Sequence, residues 1–515
     1  MSKQIAIIGA GLSGLLACKY AMEKGFSPIV FEAKNGLGGV WSQTLKPTKL
    51  QTPRDYYQFS DFPWPDSVTG DFPHSNQVKD YLHSYAFHFN ILPQIKFNSR
   101  VVDIDYVTPY EDHLHSWTCW GGTGEAFSAY GKWVVTVENH SAGPLPKTET
   151  YQVDFVVLCL GNFSDLPHIP DFPVNKGPEV FRGKVLHSMD YSAMDNDKAA
   201  EFINCKRVTV VGFQKSAIDI AAEVSTQNGV KHPCTLLFRR AHWVVPELLL
   251  KLSFKYQNRF TEFMLHKPHE GFFLWLLSFL LYPLIWLYAV LFETVVKLKY
   301  PLRRYKTIPD QNFIKQVSSC KAKVMPANFY KNANEGSLIF KKAENFHFCK
   351  NGLKVEGEKE PIETDIVIFA TGYRTDDKLK SIFKSTYFQK RFVDSSAPFY
   401  RECIHPRIPQ LAILGYSATP ATLYTCEMNA RWLSHFLAGR FKLPAIKEMQ
   451  ADMMEWKKST YTFAKEDYKR ACVTALLQIH NNDQLCKDMG VNPKRKSWFM
   501  PELFAPYTPA DYANI

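Results

Sequence analysis

The stretch from Ile5 to Trp41, IAIIGAGLSGLLACKYAMEKGFSPIVFEAKNGLGGVW, constrains the fold more than any other part of this chain. An apolar run ends on Gly9-x-Gly11-x-x-Gly14, a helical pattern follows, and Ser27 to Phe31 makes a second apolar run that ends on Glu32. Each glycine has a separate physical role. Gly9 takes the turn that leaves the strand, Gly11 lets the backbone come close to a pyrophosphate, and Gly14 lets the helix pack tightly against the sheet. The helix then directs unpaired N–H groups and the positive end of its dipole at the phosphates. Glu32, eighteen residues after Gly14, can accept both ribose hydroxyls, and an acid there favours FAD or NAD over NADP.

Length and composition narrow the classes. A chain of 515 residues suggests about two to four domains. The formal net charge of +11 suits an anionic membrane surface or an anionic cofactor such as NADPH. No recognised nucleic-acid motif or long basic tail accompanies that charge, so no nucleic-acid partner is expected. Eleven cysteines, an odd number, lie between Cys18 and Cys486 without CxxC or tandem metal spacing, which predicts a reducing compartment and free, mostly buried thiols. The same absence argues against a disulfide reductase, which needs a closely spaced redox pair after its first nucleotide turn. No apolar leader precedes Ile5, so a cleaved secretory signal is not expected.

Four further stretches share a family likeness. Gly38, Gly39 and Trp41 continue the first turn as GGxW, and LQTPRDYYQFSDFPWP, from Leu50 to Pro65, contains Asp61-Phe62-Pro63. FRGKVLHSMDY fits FxGxxxHxxxY through Phe181, Gly183, His187 and Tyr191, and KRVTVVGFQKSAIDIAAEV, from Lys206 to Val224, is a second strand, turn and helix. Together these resemble the flavin-containing monooxygenases of plants, in the branch that includes N-hydroxypipecolate synthases, with which this chain shares the KSAID turn and the HSMDY ending.

The resemblance implies FAD held by Gly9, Gly11, Gly14, Glu32, Gly38, Gly39 and Trp41, with the loop running on along the flavin. Gln51 falls where many members carry an active-site Asn. A longer amide can still hydrogen-bond the flavin or the nicotinamide ribose, so Gln51 is expected to be catalytic; the alternative is a loop amide facing solvent. His187 is read as architectural, helping to place the two nucleotide domains, and not as a proton carrier. The second turn is GxGxSG or GxGxSA in the family, followed by an acid. Gly212, Ser216, Ala217 and Asp219 fit, whereas Gln214 occupies the place of the second glycine. A side chain there is expected to weaken or shift the nucleotide, and Lys215 beside it could compensate with charge. Arg239 and Arg240, in TLLFRRAHWVVP, suit a 2′-phosphate through bidentate hydrogen bonds, which assigns NADPH to this turn. The alternative is a solvated basic pair.

Gly271 to Phe292 is a run of twenty-two residues without a charge, and roughly twenty suffice to cross a bilayer. A single crossing would, however, separate the first turn from the strand Asp365 to Gly372, which is expected to return to the FAD domain. Pro283 predicts a bend or two short helices. Lys297, Lys299, Arg303, Arg304 and Lys306 follow and could meet anionic headgroups. The expected state is a monotopic insertion through 271–292, with a buried helical subdomain over the active site as the alternative. TDIVIFATGY, from Thr364 to Tyr373, resembles the second crossover of these flavoproteins and adds Thr371 and Gly372 as cofactor contacts. Glu427 and Arg431, on a helix after Thr419-Pro420, could be only an exposed i,i+4 bridge, and the tail from Tyr461 carries no assignable chemistry.

The expected fold is α/β, with two Rossmann-like dinucleotide-binding domains, the second inserted in the first. Residues 1–165 and 351–515 would form the FAD-binding domain, 166–350 the NADPH-binding domain, and 245–325 an apolar helical insertion. The resemblance implies hydride transfer from NADPH to FAD, capture of O2 as a C4a-hydroperoxyflavin, and N-oxygenation of an amine or amino-acid-like small molecule. Neither a metal nor a nucleophilic triad is needed. The alternatives are S-oxygenation of a thioether, a Baeyer-Villiger oxygenation, in whose enzymes Trp replaces Tyr191, and a non-catalytic membrane-bound flavoprotein sensor. The expected location is the cytoplasm or the cytosolic face of the endoplasmic reticulum membrane.

Overall fold

A computed structural model describes residues 3–45, 47–108, 114–141, 145–163, 165–393 and 397–515. The chain opens with β1 (Gln4–Ile8), helix α1 (Leu12–Glu23), β2 (Ser27–Phe31) and β3 (Ile95–Lys96). An antiparallel meander of β4 (Ser99–Val107), β5 (Lys132–Asn139) and β6 (Lys147–Val153) follows, then β7 (Phe155–Leu158). With β18 (Leu411–Ile413), far along the chain, these make a five-stranded parallel sheet in the order β18-β7-β1-β2-β3. Its strands are continuous apolar runs because both faces are covered. Ile5 and Ile7 join the core around α1, while Ala6 and Ile8 join Trp133 and Val135 of the meander.

The same plan then repeats. After β8 (Lys184–His187) come β9 (Val208–Val211), helix α2 (Lys215–Asn228) and β10 (Cys234–Phe238). An excursion leaves at β11 (Val244–Val245), contains helix α3 (Phe272–Lys299), and returns at β12 (Lys323–Val324), which pairs in parallel with β11. β13 (Leu338–Lys342) is followed by a second meander, β14 (Phe346–Cys349), β15 (Gly352–Val355) and β16 (Ile362–Glu363), and by β17 (Ile366–Phe369). The second sheet has the order β13-β10-β9-β17-β8, again parallel. The second domain is thus inserted between β7 and β18 of the first.

Two expectations change here. Ile366–Phe369 does not return to the first sheet but pairs with β8 and β9 of the second, and the boundary placed at 350/351 falls in the β14–β15 hairpin. The reason lies in the repeat: each domain has its own return strand, opened by the same acid. The Gln4 N–H donates to Asp154 Oδ2 at 2.9 Å, and the Arg207 N–H to Asp365 Oδ2 at 2.8 Å. The first sheet is regained only at β18.

Pro283 does not break α3, which runs unbroken for 28 residues. Pro283 removes one backbone bond at a cost of about 3 kcal/mol, and the remaining turns carry the helix through. Nor is α3 a buried subdomain. Phe273 is 85 % and Leu298 83 % exposed, while Ser278, Ala289, Phe292 and Val296 are its buried residues. It is held by a Phe292–Phe313 stack at 4.1 Å and by contacts of Ser278 with His266 (2.8 Å) and Tyr288 with Ser253 (2.9 Å).

Candidate functional site

The first turn is shaped by backbone crowding. Gly9 has φ +106°, and a Cβ there would lie 2.5 Å from the Cys159 carbonyl oxygen. At Gly14 a Cβ would lie 1.8 Å from the Gly9 carbonyl oxygen, so only glycine lets α1 start this close. Gly11 differs. Its backbone is extended, and an added Cβ would meet only Gly39, its Cα at 3.4 Å and its amide nitrogen at 3.7 Å. Two glycine faces therefore oppose each other beside the α1 N-terminus, which no side chain caps. This cradle, which a Cβ would fill, fits a pyrophosphate. Glu32, buried at the end of β2, accepts from the Ala10 N–H at 2.8 Å and the Lys34 N–H at 3.0 Å. A carboxylate retains further lone pairs for ribose hydroxyls. Trp41 Nε1 donates to the Tyr57 hydroxyl at 3.0 Å, fixing the continuation of the loop.

The second turn repeats the first with altered side chains. Gly212 has φ +137°, and its Cβ would lie 2.5 Å from the Ala370 carbonyl oxygen. Gln214 precedes α2 in the same extended conformation as Gly11, with φ −94° against −77°, and makes no capping bond. Its place does not require glycine; its side chain alters only the space a nucleotide would enter. The Lys215 ammonium donates to Asp219 Oδ1 at 2.7 Å, so the charge expected to compensate is already paired. Ser216 stands exposed at the start of α2. Arg239 and Arg240 lie exposed just past β10.

A single cavity of about 2530 Å³ joins the two turns. It is several times a typical single-ligand pocket of about 300–1,000 Å³, as two extended dinucleotides require. Every expected site residue lines it except Gly14, whose role is packing. Gln51 lines it as an exposed amide beside Thr52, whose hydroxyl donates to the Pro420 carbonyl at 2.5 Å. Thr371 and Gly372 line it from the end of β17, where the Thr371 hydroxyl donates to the His168 carbonyl and the His168 N–H donates to the Gly372 carbonyl at 2.8 Å. They clasp the interdomain linker as residues of the second domain. His187, 1 % exposed, is not among the lining residues; burial holds its pKa low, and its Nδ1 accepts from the Met189 N–H at 3.1 Å.

Helix α4 (Thr422–Leu437) starts at the cavity, where Thr419, Pro420 and Thr422 form part of the wall. Further along α4, Glu427 and Arg431 are no exposed bridge, with side chains only 2 % and 4 % exposed. The Tyr20 hydroxyl and the Ser60 N–H donate to Glu427 at 2.7 and 2.9 Å, which ties α4 to α1 and the 57–62 loop. Burial raises the Glu427 pKa and Arg431 opposes it.

Residues without a local motif complete the far wall. Lys323 of β12 is half-buried, and burial, then the charges of Lys469 and Lys215, lower its pKa to about 8. Burial and Lys321 lower the Lys469 pKa although the cavity wets its side chain, and Asp467 partly offsets them. The tail thus enters the site through Tyr468–Cys472. Cys320 and Cys472 are joined as a disulfide with Cα atoms 6.1 Å apart, correcting the expectation that all thiols are free; the other nine cysteines are unpaired. Residues separated by 152 positions leave no spacing signal in a sequence. Among the described residues no cluster of His, Cys, Asp and Glu could hold a metal ion.

A profile of flavin-binding monooxygenase-like proteins matches residues 2–277 and 314–506. The chain is 37 % identical over 525 residues to probable flavin-containing monooxygenase 1 of Arabidopsis thaliana, covering 99 % of this chain and 96 % of that one. Among solved structures it is similar to an oxidised steroid monooxygenase bound to NADP, with TM-score 0.66, 16 % identity and coverage of 95 % of this chain and 97 % of that chain. It is similar also to S-allyl-L-cysteine S-oxygenase from Allium sativum, with TM-score 0.55, 17 % identity and coverage of 96 % and 89 %. At such identities the structural likenesses speak for the fold.

Proposed function

This chain belongs to the flavin-binding monooxygenase-like family, and from that membership we propose that it is an NADPH-dependent flavin monooxygenase that N-oxygenates an amine or amino-acid-like small molecule. The observation that carries the proposal is the single cavity onto which both nucleotide turns open. FAD would be held by the Gly9 turn, Gly38, Gly39, Trp41 and Glu32, and NADPH by the Gly212 turn, Ser216, Arg239 and Arg240. When bound, FAD supplies the activation of O2, with NADPH as the electron donor.

The chain's own residues orient and shield. The Gly11–Gly39 cradle and the two helix N-termini would hold phosphate charge, and α4, which starts at the cavity wall, would favour negative charge there. Gln51 offers an amide that can donate to and accept from a bound ring or ribose, without supplying a strong acid or base. Lys323 and Lys469 place positive charge on the wall that neither turn occupies, which favours an amino-acid-like substrate over a plain amine. The excursion and the tail close this wall and keep water from the reacting atoms.

Helix α3 supports a further part of the proposal, monotopic contact with the cytosolic face of the endoplasmic reticulum membrane. Its exposed apolar side chains and the basic residues from Lys297 to Lys306 suit an anionic bilayer surface, and the family profile omits 278–313. The test of activity is NADPH consumption by flavin-loaded protein with a panel of amines, amino acids and matched thioethers, with product masses. Hydroxylamine products are expected; sulfoxides alone would replace N- by S-oxygenation, and flavin that NADPH cannot bleach would refute the monooxygenase. Deleting 271–292 is expected to abolish co-sedimentation with anionic vesicles, and unchanged sedimentation would refute membrane contact.

A further inference from the structure

The chain has eleven cysteines, and the sole bonded pair joins two walls of the cavity that the proposed chemistry would use. Cys320 follows the helix Phe313–Ser318 in a left-handed conformation, φ 55°, where the excursion turns back towards β12. Cys472 ends the short helical turn Arg470–Cys472 of the tail. Between them runs the segment before α4: the Ala418 N–H donates to the Ala471 carbonyl at 2.6 Å, and Cys320 Sγ lies 2.9 Å from the Ala418 carbonyl. When reduced, Cys320 can donate its S–H to that carbonyl, so the thiol state also has a defined resting place.

Three observations distinguish this pair from a structural staple. First, the remaining nine cysteines are free, so the chain is not built on a disulfide framework, and in the reducing compartment that cysteine usage predicts an isolated bond is usually a redox element. Second, two lysines without a carboxylate partner in hydrogen-bond reach among the described residues stand beside it. The Lys323 ammonium donates to the Cys320 carbonyl at 2.7 Å and Lys469 lies three residues before Cys472, while the neighbouring Lys321 and Arg470 are paired with Asp467 and Asp376. Positive surroundings stabilise a thiolate, the reactive form. Third, access is unequal: Cys320 is half-buried and faces the cavity, whereas Cys472 is 2 % exposed. That is the arrangement of an attacking and a resolving cysteine.

We propose that Cys320 and Cys472 form a peroxide-reactive dithiol that locks the excursion to the tail when oxidised. The Cys320 thiolate attacks hydrogen peroxide: an S–O bond forms, the O–O bond breaks, and the departing hydroxide takes a proton to leave as water. The Cys472 thiol then attacks the sulfenic sulfur: the S–S bond forms, the S–O bond breaks, and a second water leaves. Two thiols lose two electrons and one peroxide becomes two waters. The proposal rests on the monooxygenase reading only for a local source of peroxide, released when O2 is reduced without a substrate to take the oxygen. Oxidation pins the excursion to the tail and limits how far this wall can move to admit a substrate, and reduction releases it, so unproductive turnover limits itself.

The test uses the full chain, reduced, freed of reductant and treated with added hydrogen peroxide, so that it does not depend on turnover. Differential alkylation and peptide mass spectrometry are expected to show a Cys320–Cys472 cross-link with the other nine cysteines still alkylatable. In Cys472→Ser, dimedone is expected to trap a sulfenic acid at Cys320. In the flavin-loaded enzyme, oxidation is expected to lower kcat/KM for a bulky amine about tenfold, with reversal by a thiol reductant. Cys205→Ser, which removes an exposed free thiol, is expected to keep the full response. No cross-link, or dimedone on other cysteines only, overturns the site. A cross-link that forms without change in kcat/KM or in limited proteolysis of 300–325 overturns the lock. If the serine variants fail to fold, the alkylation of the unsubstituted protein still decides. If NADPH fails to reduce the flavin while the cross-link forms, the function reading falls and the dithiol stands.

Discussion

The two nucleotide turns share their backbone and differ in their side chains. In each, the glycine that leaves the central strand donates its N–H across to the next strand, Gly9 to Phe31 at 2.8 Å and Gly212 to Leu237 at 2.9 Å. In each, the return strand closes on the other side, Cys159 on Ile8 and Ala370 on Val211, both at 2.9 Å. Two of the differences face the cavity, Gly11 against Gln214 and Glu32 against the Arg239–Arg240 pair; the third, Gly14 against Ala217, is buried where the helix packs on the sheet. Where the chain must turn against a carbonyl, only glycine serves. Where it faces the cavity, side chains vary, and in the proposed function they give FAD to one copy and NADPH to the other.

The sharpest way to break this comparison is at the third position. Gly14→Ala is expected to cost about 3–5 kcal/mol and to release flavin, because its Cβ meets the Gly9 carbonyl, whereas Ala217→Gly costs about 1 kcal/mol. Flavin absorbance per protein and thermal melting read both; equal losses would mean that the two helices start alike. Next in size, Arg239→Ala and Arg240→Ala are expected to raise the KM for NADPH about 10- to 100-fold and to leave that for NADH nearly unchanged. If both cofactors suffer equally, the arginines do not read the 2′-phosphate.

Lys323 tests whether the wall beyond the turns takes an anion. Its pKa is lowered from the usual 10.5 to about 8, so the folded protein loses this proton where the unfolded chain keeps it. Between pH 8 and 10.5 this group therefore makes the fold more stable as pH rises, while its grip on a carboxylate weakens. The KM for an amino-acid substrate is expected to climb by up to about tenfold per unit above pH 8. Lys323→Met should flatten that slope, and a slope retained in Lys323→Met would clear Lys323 of the role. The smallest effect is expected from Gln214→Gly, which keeps the backbone and empties the cradle. NADPH should bind about threefold to tenfold more tightly, as measured by titration of the flavin-loaded protein, and weaker binding would make Gln214 a ligand.

Features coded within a few dozen residues were legible in the sequence. Both turns follow from glycine spacing and apolar periodicity, and the insertion of one domain in the other from the family resemblance. The allegiance of Ile366–Phe369 was not legible, because Asp154 to Gly161 and Asp365 to Gly372 carry the same acid, apolar run and small turn. Pairing, not composition, decides their sheet. Burial of Glu427 and Arg431 depends on Tyr20 and Ser60, some 370–400 positions earlier. The continuity of α3 through Pro283 is likewise collective, since the neighbouring turns outweigh one missing bond. Lys323, Lys469 and the cysteine pair come together only when the excursion and the tail meet.

The ladder between β11 and β12 also makes the excursion exchangeable. Val244 and Lys323 are fixed side by side, so the chain between them can lengthen or shorten without altering the register of either sheet. Doubling such a loop adds only about 0.6 kcal/mol of closure entropy. In evolutionary and engineering terms the segment is a cassette in a socket, and the family profile breaks off inside it, at 278–313. The socket also ends on Lys323 and lies three residues from Cys320, so a new cassette would retune the reaction chamber as well as the molecule's outer surface.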